Sequence, residues 1–70
     1  MTPLYREENG VLVFEASVKQ EVYATDSEHS LTKNKAYIIE AIVWGEIVVV
    51  NDKGEKELYS PDWFSLSQLL

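Results

Sequence analysis

The segment Leu31–Phe64, LTKNKAYIIEAIVWGEIVVVNDKGEKELYSPDWF, leaves the chain few ways to fold. Two runs rich in β-branched and aromatic residues, Ala36–Trp44 and Glu46–Asn51, meet at Gly45. Glycine supplies the positive φ that a tight reversal needs, so the runs read as neighbouring antiparallel strands turning at Trp44-Gly45. Asn51-Asp52-Lys53-Gly54 then reads as a type I turn with Gly54 left-handed. Glu55–Tyr59 follows as a short strand dense in charge, which suits a sheet edge because charge opposes unwanted pairing. Ser60-Pro61-Asp62 reads as one helical turn: Ser60 caps, Pro61 fits the first helical position and Asp62 favours the positive end. It returns Trp63 and Phe64 toward the core. This succession, with almost no slack, predicts a small antiparallel barrel of about five strands.

Helix competes for Ala36–Trp44, since Ala and Glu are good helix formers. The density of Ile, Val, Tyr and Trp and the following Gly45 favour strand. Strand parity then puts Tyr37, Ile39, Ala41 and Val43 on one face and Ala36, Ile38, Glu40, Ile42 and Trp44 on the other. Glu40 either faces solvent or pairs with Lys35 or another cation.

Upstream, residues 1–10 form a polar segment ending in the turn signal Asn9-Gly10. Val11–Val18 is a first β segment, and Glu21–Thr25 a second. The two read equally as a tight hairpin or as one bent strand with a bulge near Lys19. Asp26–Lys35 is a polar loop pinned by Leu31. Ser65–Leu70 is left as a final strand, a short helix or a tail. The organisation expected is a polar segment 1–10 and a single domain 11–70, all-β, with Val11–Val18 as an N-terminal extension.

Seventy residues hold only a marginal core. Small folds often add disulfides or a metal, but the chain has no cysteine and one histidine, His29. What remains is a densely packed core or a dimer. The net charge of −6, twelve carboxylates against six Lys and Arg, repels phosphates and argues against direct nucleic-acid binding. No apolar run reaches the length that spans a bilayer, and Met1–Glu8 lacks a secretory h-region, so a cytoplasmic location is expected.

Tyr23–Phe64 resembles a family of small SH3-like β-barrel proteins of phages, prophages and Gram-positive bacteria. Asp26, Leu31-Thr32, Lys35, Tyr37, Asn51-Asp52, Gly54-Glu55, Tyr59, Pro61 and Phe64 carry the likeness. Asn34 stands where the family usually has Gly; Asn is the next best residue for a left-handed turn. The resemblance implies an SH3-like barrel and a phage or prophage setting. It implies no activity, because such barrels host many functions.

Catalytic machinery is scarce. His29 lies in the loop Asp26–Ser30, where nothing holds partners in acyl-transfer geometry. Glu55 and Glu57 share a strand face and read as a solvated edge. Asn51–Glu55 lacks the ligand spacing of a Ca²⁺ loop, and the three glycines form no phosphate loop. No enzyme, cofactor or metal is expected. The aromatic residues lead elsewhere: Trp44 at a hairpin tip either covers the sheet edge or contacts a partner. The candidate partner-binding residues are Trp44, Glu46, Glu55, Glu57, Tyr59, Asp62 and Trp63.

Two readings follow. One is a non-enzymatic protein-binding module that modulates, and inhibits, a host or phage protein of basic character. Its carboxylates (Glu21, Glu28, Glu46, Asp52, Glu55, Glu57, Asp62) stand in for DNA phosphates in one version. The other is a structural or assembly protein, a homodimer or larger homo-oligomer joined through Val11–Val18.

Overall fold

The computed structural model describes residues 1–69. The chain is all-β and antiparallel, with eight short strands and one 3-10 turn among the described residues. In order these are β1 Tyr5–Glu8, β2 Val11–Phe14, β3 Glu21–Ala24, β4 Ala36–Ile38, β5 Ala41–Val43, β6 Glu46–Val50, β7 Lys56–Tyr59, the 3-10 turn Pro61–Trp63 and β8 Phe64–Ser65. They form three sheets, ordered β1-β2, β4-β3-β8 and β5-β6-β7. None of the three closes into a barrel, and the strands are shorter and more numerous than expected.

The local turns form as their residues dictate. Asn51 accepts the Gly54 N–H through its carbonyl at 2.9 Å, and its side-chain Oδ1 accepts the Lys53 and Glu55 N–H groups. Ser60 Oγ accepts the Asp62 N–H at 3.2 Å, with Pro61 opening the 3-10 turn. Asn34 adopts φ 68°, and its amide grips the Leu69 main chain at 2.6 and 2.8 Å.

Three expectations need correction. First, the polar segment holds a strand: Tyr5–Glu8 pairs with Val11–Phe14 across Asn9-Gly10, and Leu4 is fully buried. Glu7 and Glu8 hid it, because they face solvent on a two-stranded ribbon. Second, Val11–Val18 is a strand only to Phe14, and β2 does not pair with β3. A left-handed Lys19 (φ 77°) redirects the chain, and its N–H meets the Ile39 carbonyl at 2.8 Å.

Third, Ala36–Val43 is bent rather than straight. Its first part joins β3 and its second joins β6. Ala41 is the register partner of Val48, yet the Glu40 N–H also bonds the Val48 carbonyl at 2.7 Å. Two residues opposing one make a β-bulge, and the extra residue inverts the facing of everything after it. Tyr37 and Ile39 point into the core as expected, but Ile42 replaces Ala41 and Val43 there. Ala41 and Val43 join Val48, Val50 and Leu58 on the outer face of the β5-β6-β7 sheet.

The core gathers residues from nearly every element: Leu4, Val22, Ala24, Leu31, Tyr37, Ile39, Ile47, Val49, Tyr59 and Phe64. Leu31 pins the 26–35 loop as its isolated apolar character suggests. Among the described residues no helix is long and apolar enough to cross a membrane.

Candidate functional site

Five of the seven expected partner-binding residues fall in two places, and Glu55 and Asp62 in neither. Trp44 and Glu46 stand at the β5-β6 turn. Trp63 lines a small cleft, with Tyr59 packed against it and Glu57 beside the Tyr59 hydroxyl.

At the β5-β6 turn, Trp44 and Gly45 have φ 50° and 78°. Two consecutive left-handed residues make a type I′ hairpin turn, whose first position favours Asn, Asp or Gly. A bulky residue there is an outlier, since its Cβ crowds the backbone. Trp44 is moreover 97% exposed, so no contact within the fold offsets the strain. Of its two readings in the sequence, the one in which it folds over the sheet edge is excluded. Glu46 is exposed at the start of β6, opposite Val43.

The cleft has a volume of about 180 Å³ and is lined by Thr25, Asp26, Glu28, His29, Leu31 and Trp63. His29 lies flat on Trp63, with ring centroids 4.3 Å apart and planes 6° off parallel. Tyr59 tilts against Trp63 from within, and its hydroxyl donates to the His29 carbonyl at 2.7 Å. The Tyr59 hydroxyl also lies 3.1 Å from a Glu57 carboxylate oxygen. Burial is the main cause that raises the Tyr59 pKa. Tyr59 is therefore a core residue supporting Trp63 from beneath, not a contact surface. Trp63 is 38% exposed, so of the aromatic pair only Phe64 enters the core fully.

His29 is exposed in its polar loop, and its aromatic stack with Trp63, thirty-odd positions away, carries no sequence signal. Glu40 sits 3.7 Å from Lys56, resolving its expected pairing in favour of a cation on β7 rather than Lys35. Tyr37 donates to Asp52 at 2.8 Å and accepts the Thr32 N–H at 2.7 Å.

The acidic surface is less free than its composition suggests. Asp52 binds Lys35 Nζ at 2.7 Å, the Thr32 hydroxyl at 2.6 Å and the Tyr37 hydroxyl. These bonds, the Lys35 ammonium first, hold its carboxyl down to about 2. Asp62 accepts from the Tyr5 hydroxyl. Glu55 and Glu21 remain exposed and without a side-chain partner in the hydrogen-bond and ion-pair network of the described residues. The clamp on Asp52 ties the 26–35 loop to the β6-β7 turn, helped by the Asp52 N–H bond to the Ser30 carbonyl at 2.8 Å.

This linkage has a definite sign. A carboxyl whose folded pKa lies below its unfolded value, about 3.9, stabilises the fold above that value. That stabilisation fades as pH falls from about 4 toward 2. Acid unfolding followed by tyrosine fluorescence is expected to shift its midpoint upward in Asp52→Asn. An unchanged midpoint would show the clamp to be energetically silent.

No protein-family model matches the chain, and no curated protein or solved structure does so either.

Proposed function

We propose that this chain is a small non-enzymatic protein-binding module on an SH3-like plan, phage or prophage encoded, which inhibits a host protein in the cytoplasm by occupying its surface. Several features support the plan: the bent segment Ala36–Val43 shared between two sheets, the polar loop before it, and the 3-10 turn ahead of the closing strand. The observation that carries the function is Trp44, fully displayed on a turn that its own bulk strains. Strain kept at an exposed position is a mark of use rather than of folding. Tryptophan is also the side chain most enriched at binding hot spots. The neighbouring outer face, with Val43, Val48, Val50 and Leu58, extends the same apolar surface.

Apolar docking is favoured over mimicry of DNA. Asp52 and Asp62, two of the carboxylates that would imitate phosphates, are bound at the surface by side chains of the same chain, and Glu57 lies against the Tyr59 hydroxyl. The acidic remainder suits a partner with a basic rim.

Trp44→Asn separates the two roles of this residue. Asn is favoured in the type I′ turn, so the variant is expected to be about 1 kcal/mol more stable in urea titration. The same variant is expected to bind the partner captured from Gram-positive host lysate about 30-fold more weakly, the loss of a hot spot. Binding should persist in high salt and resist competition by DNA. A partner that holds the variant as tightly as the parent chain would refute the reading.

A further inference from the structure

The β1-β2 hairpin has two unlike edges. The β1 edge carries Arg6, Glu7 and Glu8, and Arg6 is paired with Glu8 and Glu15. Charge of this kind blocks strand addition. The β2 edge consists of Val11, Leu12, Val13 and Phe14, with no charge at all. Val11 is 62% and Leu12 60% exposed, and no strand pairs with this edge among the described residues.

The hairpin geometry tells which main-chain groups lie free. Asn9 and Gly10 have φ 52° and 77°, a two-residue type I′ loop. Such a loop closes on a fully bonded pair, here Glu8 with Val11, and bonded pairs then alternate. Val11 and Val13 therefore turn their N–H and C=O groups to β1. The Glu15 N–H bond to the Leu4 carbonyl, 2.7 Å, continues that alternation. Leu12 and Phe14 turn theirs outward.

We infer that β2 pairs antiparallel with β2 of a second copy about a two-fold axis at Val13, joining two hairpins into one four-stranded sheet. In this register Leu12 bonds Phe14 of the second copy, and Phe14 bonds its Leu12. Both free bonding residues are used, and the pattern is its own complement. A two-fold axis at Leu12 would set Phe14 against Gly10 instead and bond only one apolar pair. No carboxylate faces a carboxylate along the edge, since Glu15 falls opposite Val11. The exposed Leu12 gains Phe14 of the second copy as its neighbour, and through it the Tyr5-Phe14 ring pair, 6.2 Å apart within each hairpin. The axis consumes the β2 edge of both copies and leaves only the charged β1 edges outermost, so assembly stops at a dimer. This surface is separate from Trp44.

The full chain lacks cysteine, so single-cysteine variants report the register. Across the axis, the Val13 pair is of the non-bonded kind, with Cα atoms about 4.5 Å apart, within disulfide range. Val13→Cys is expected to form a disulfide dimer on mild oxidation at least tenfold faster than Val11→Cys. Sedimentation of the parent chain should move from 8.0 kDa toward twice that mass with rising concentration. Leu12→Lys should stay monomeric with an unchanged circular dichroism spectrum, and Trp44→Asn should still dimerise. A parent chain that is monomeric at millimolar concentration overturns the inference. So does equal cross-linking of the two cysteine variants, or a dimer that persists in Leu12→Lys.

Discussion

Replacing Leu4 by alanine is expected to leave much of the population unfolded at room temperature. Leu4 has no exposed surface and is among the largest fully buried side chains. Truncating such a residue to alanine costs about 2–5 kcal/mol, and a core of this size supplies only about 3–5 kcal/mol in total. Little can collapse into the gap, because the main chain on both sides of Leu4 is tied down. The Leu4 carbonyl accepts the Glu15 N–H at 2.7 Å. Two residues earlier, the Thr2 N–H reaches Ser65 Oγ at 3.0 Å, and the Thr2 carbonyl accepts the Leu66 N–H at 2.7 Å. Urea titration followed by circular dichroism measures the loss. A change below about 0.5 kcal/mol, the range of an ordinary surface substitution, would show that the N-terminal segment is ornament rather than core. The β2 pairing depends on this outcome too, since Leu4 anchors the hairpin that carries that edge.

Phe64→Ala is the second large effect. Phe64 is 1% exposed and opens β8, opposite Ala24. Its ring meets Tyr37 and Tyr59 edge-on, with centroids 6.1 and 6.0 Å away. Loss of a buried phenylalanine costs about 3–5 kcal/mol, and edge-to-face pairs add about 0.5–1.5 kcal/mol each beyond area. The expected result is loss of the cooperative thermal transition and of the near-ultraviolet signal of the two tyrosines. Retention of both would mean that the two sheets meeting at Phe64 hold together without it. Tyr59 supports Trp63 from beneath, so the cleft that includes His29 is expected to lose its shape in the same variant.

The legibility of this chain varies with the range of the forces involved. Asn51–Gly54 and the Ser60 cap behaved as read, because a turn is decided by the steric freedom and hydrogen-bonding reach of its own few residues. Asn34 is left-handed for the same reason. Ala36–Trp44 was read as a single strand; it forms two, β4 and β5, interrupted at Ile39-Glu40, with Trp44 in the turn and the facing inverted after Glu40. A bulge needs only one extra residue, and no residue type announces it. Tyr5–Glu8 was missed as a strand because alternation fails in YREE, where Glu7 and Glu8 both meet solvent. Leu4, with only Met1, Pro3 and Tyr5 as apolar neighbours, gave no periodic signal.

The candidate site shows the same division. Trp44 was identified from its position beside Gly45, and its full exposure follows from a two-residue turn that leaves the side chain nothing to lie on. Its left-handed backbone, however, is imposed by the paired strands, whose twist demands a type I′ turn whatever residue occupies it. Tyr59 and Trp63 stood close in sequence and looked alike. Their different fates, one buried and one displayed against His29, depend on where the 26–35 loop passes. Asp52 looked like a free surface charge until Lys35, Thr32 and Tyr37 closed on it.

Composition and turn chemistry thus established an all-β antiparallel chain with defined reversals, because those properties reside in single residues and their immediate neighbours. Burial of Leu4, the inverted facing of Ala41 and Val43, and the unpaired apolar edge of β2 arise only when distant segments meet. Each depends on which strand finds which partner and in what register, and free energies of that kind belong to pairs of segments rather than to either one alone.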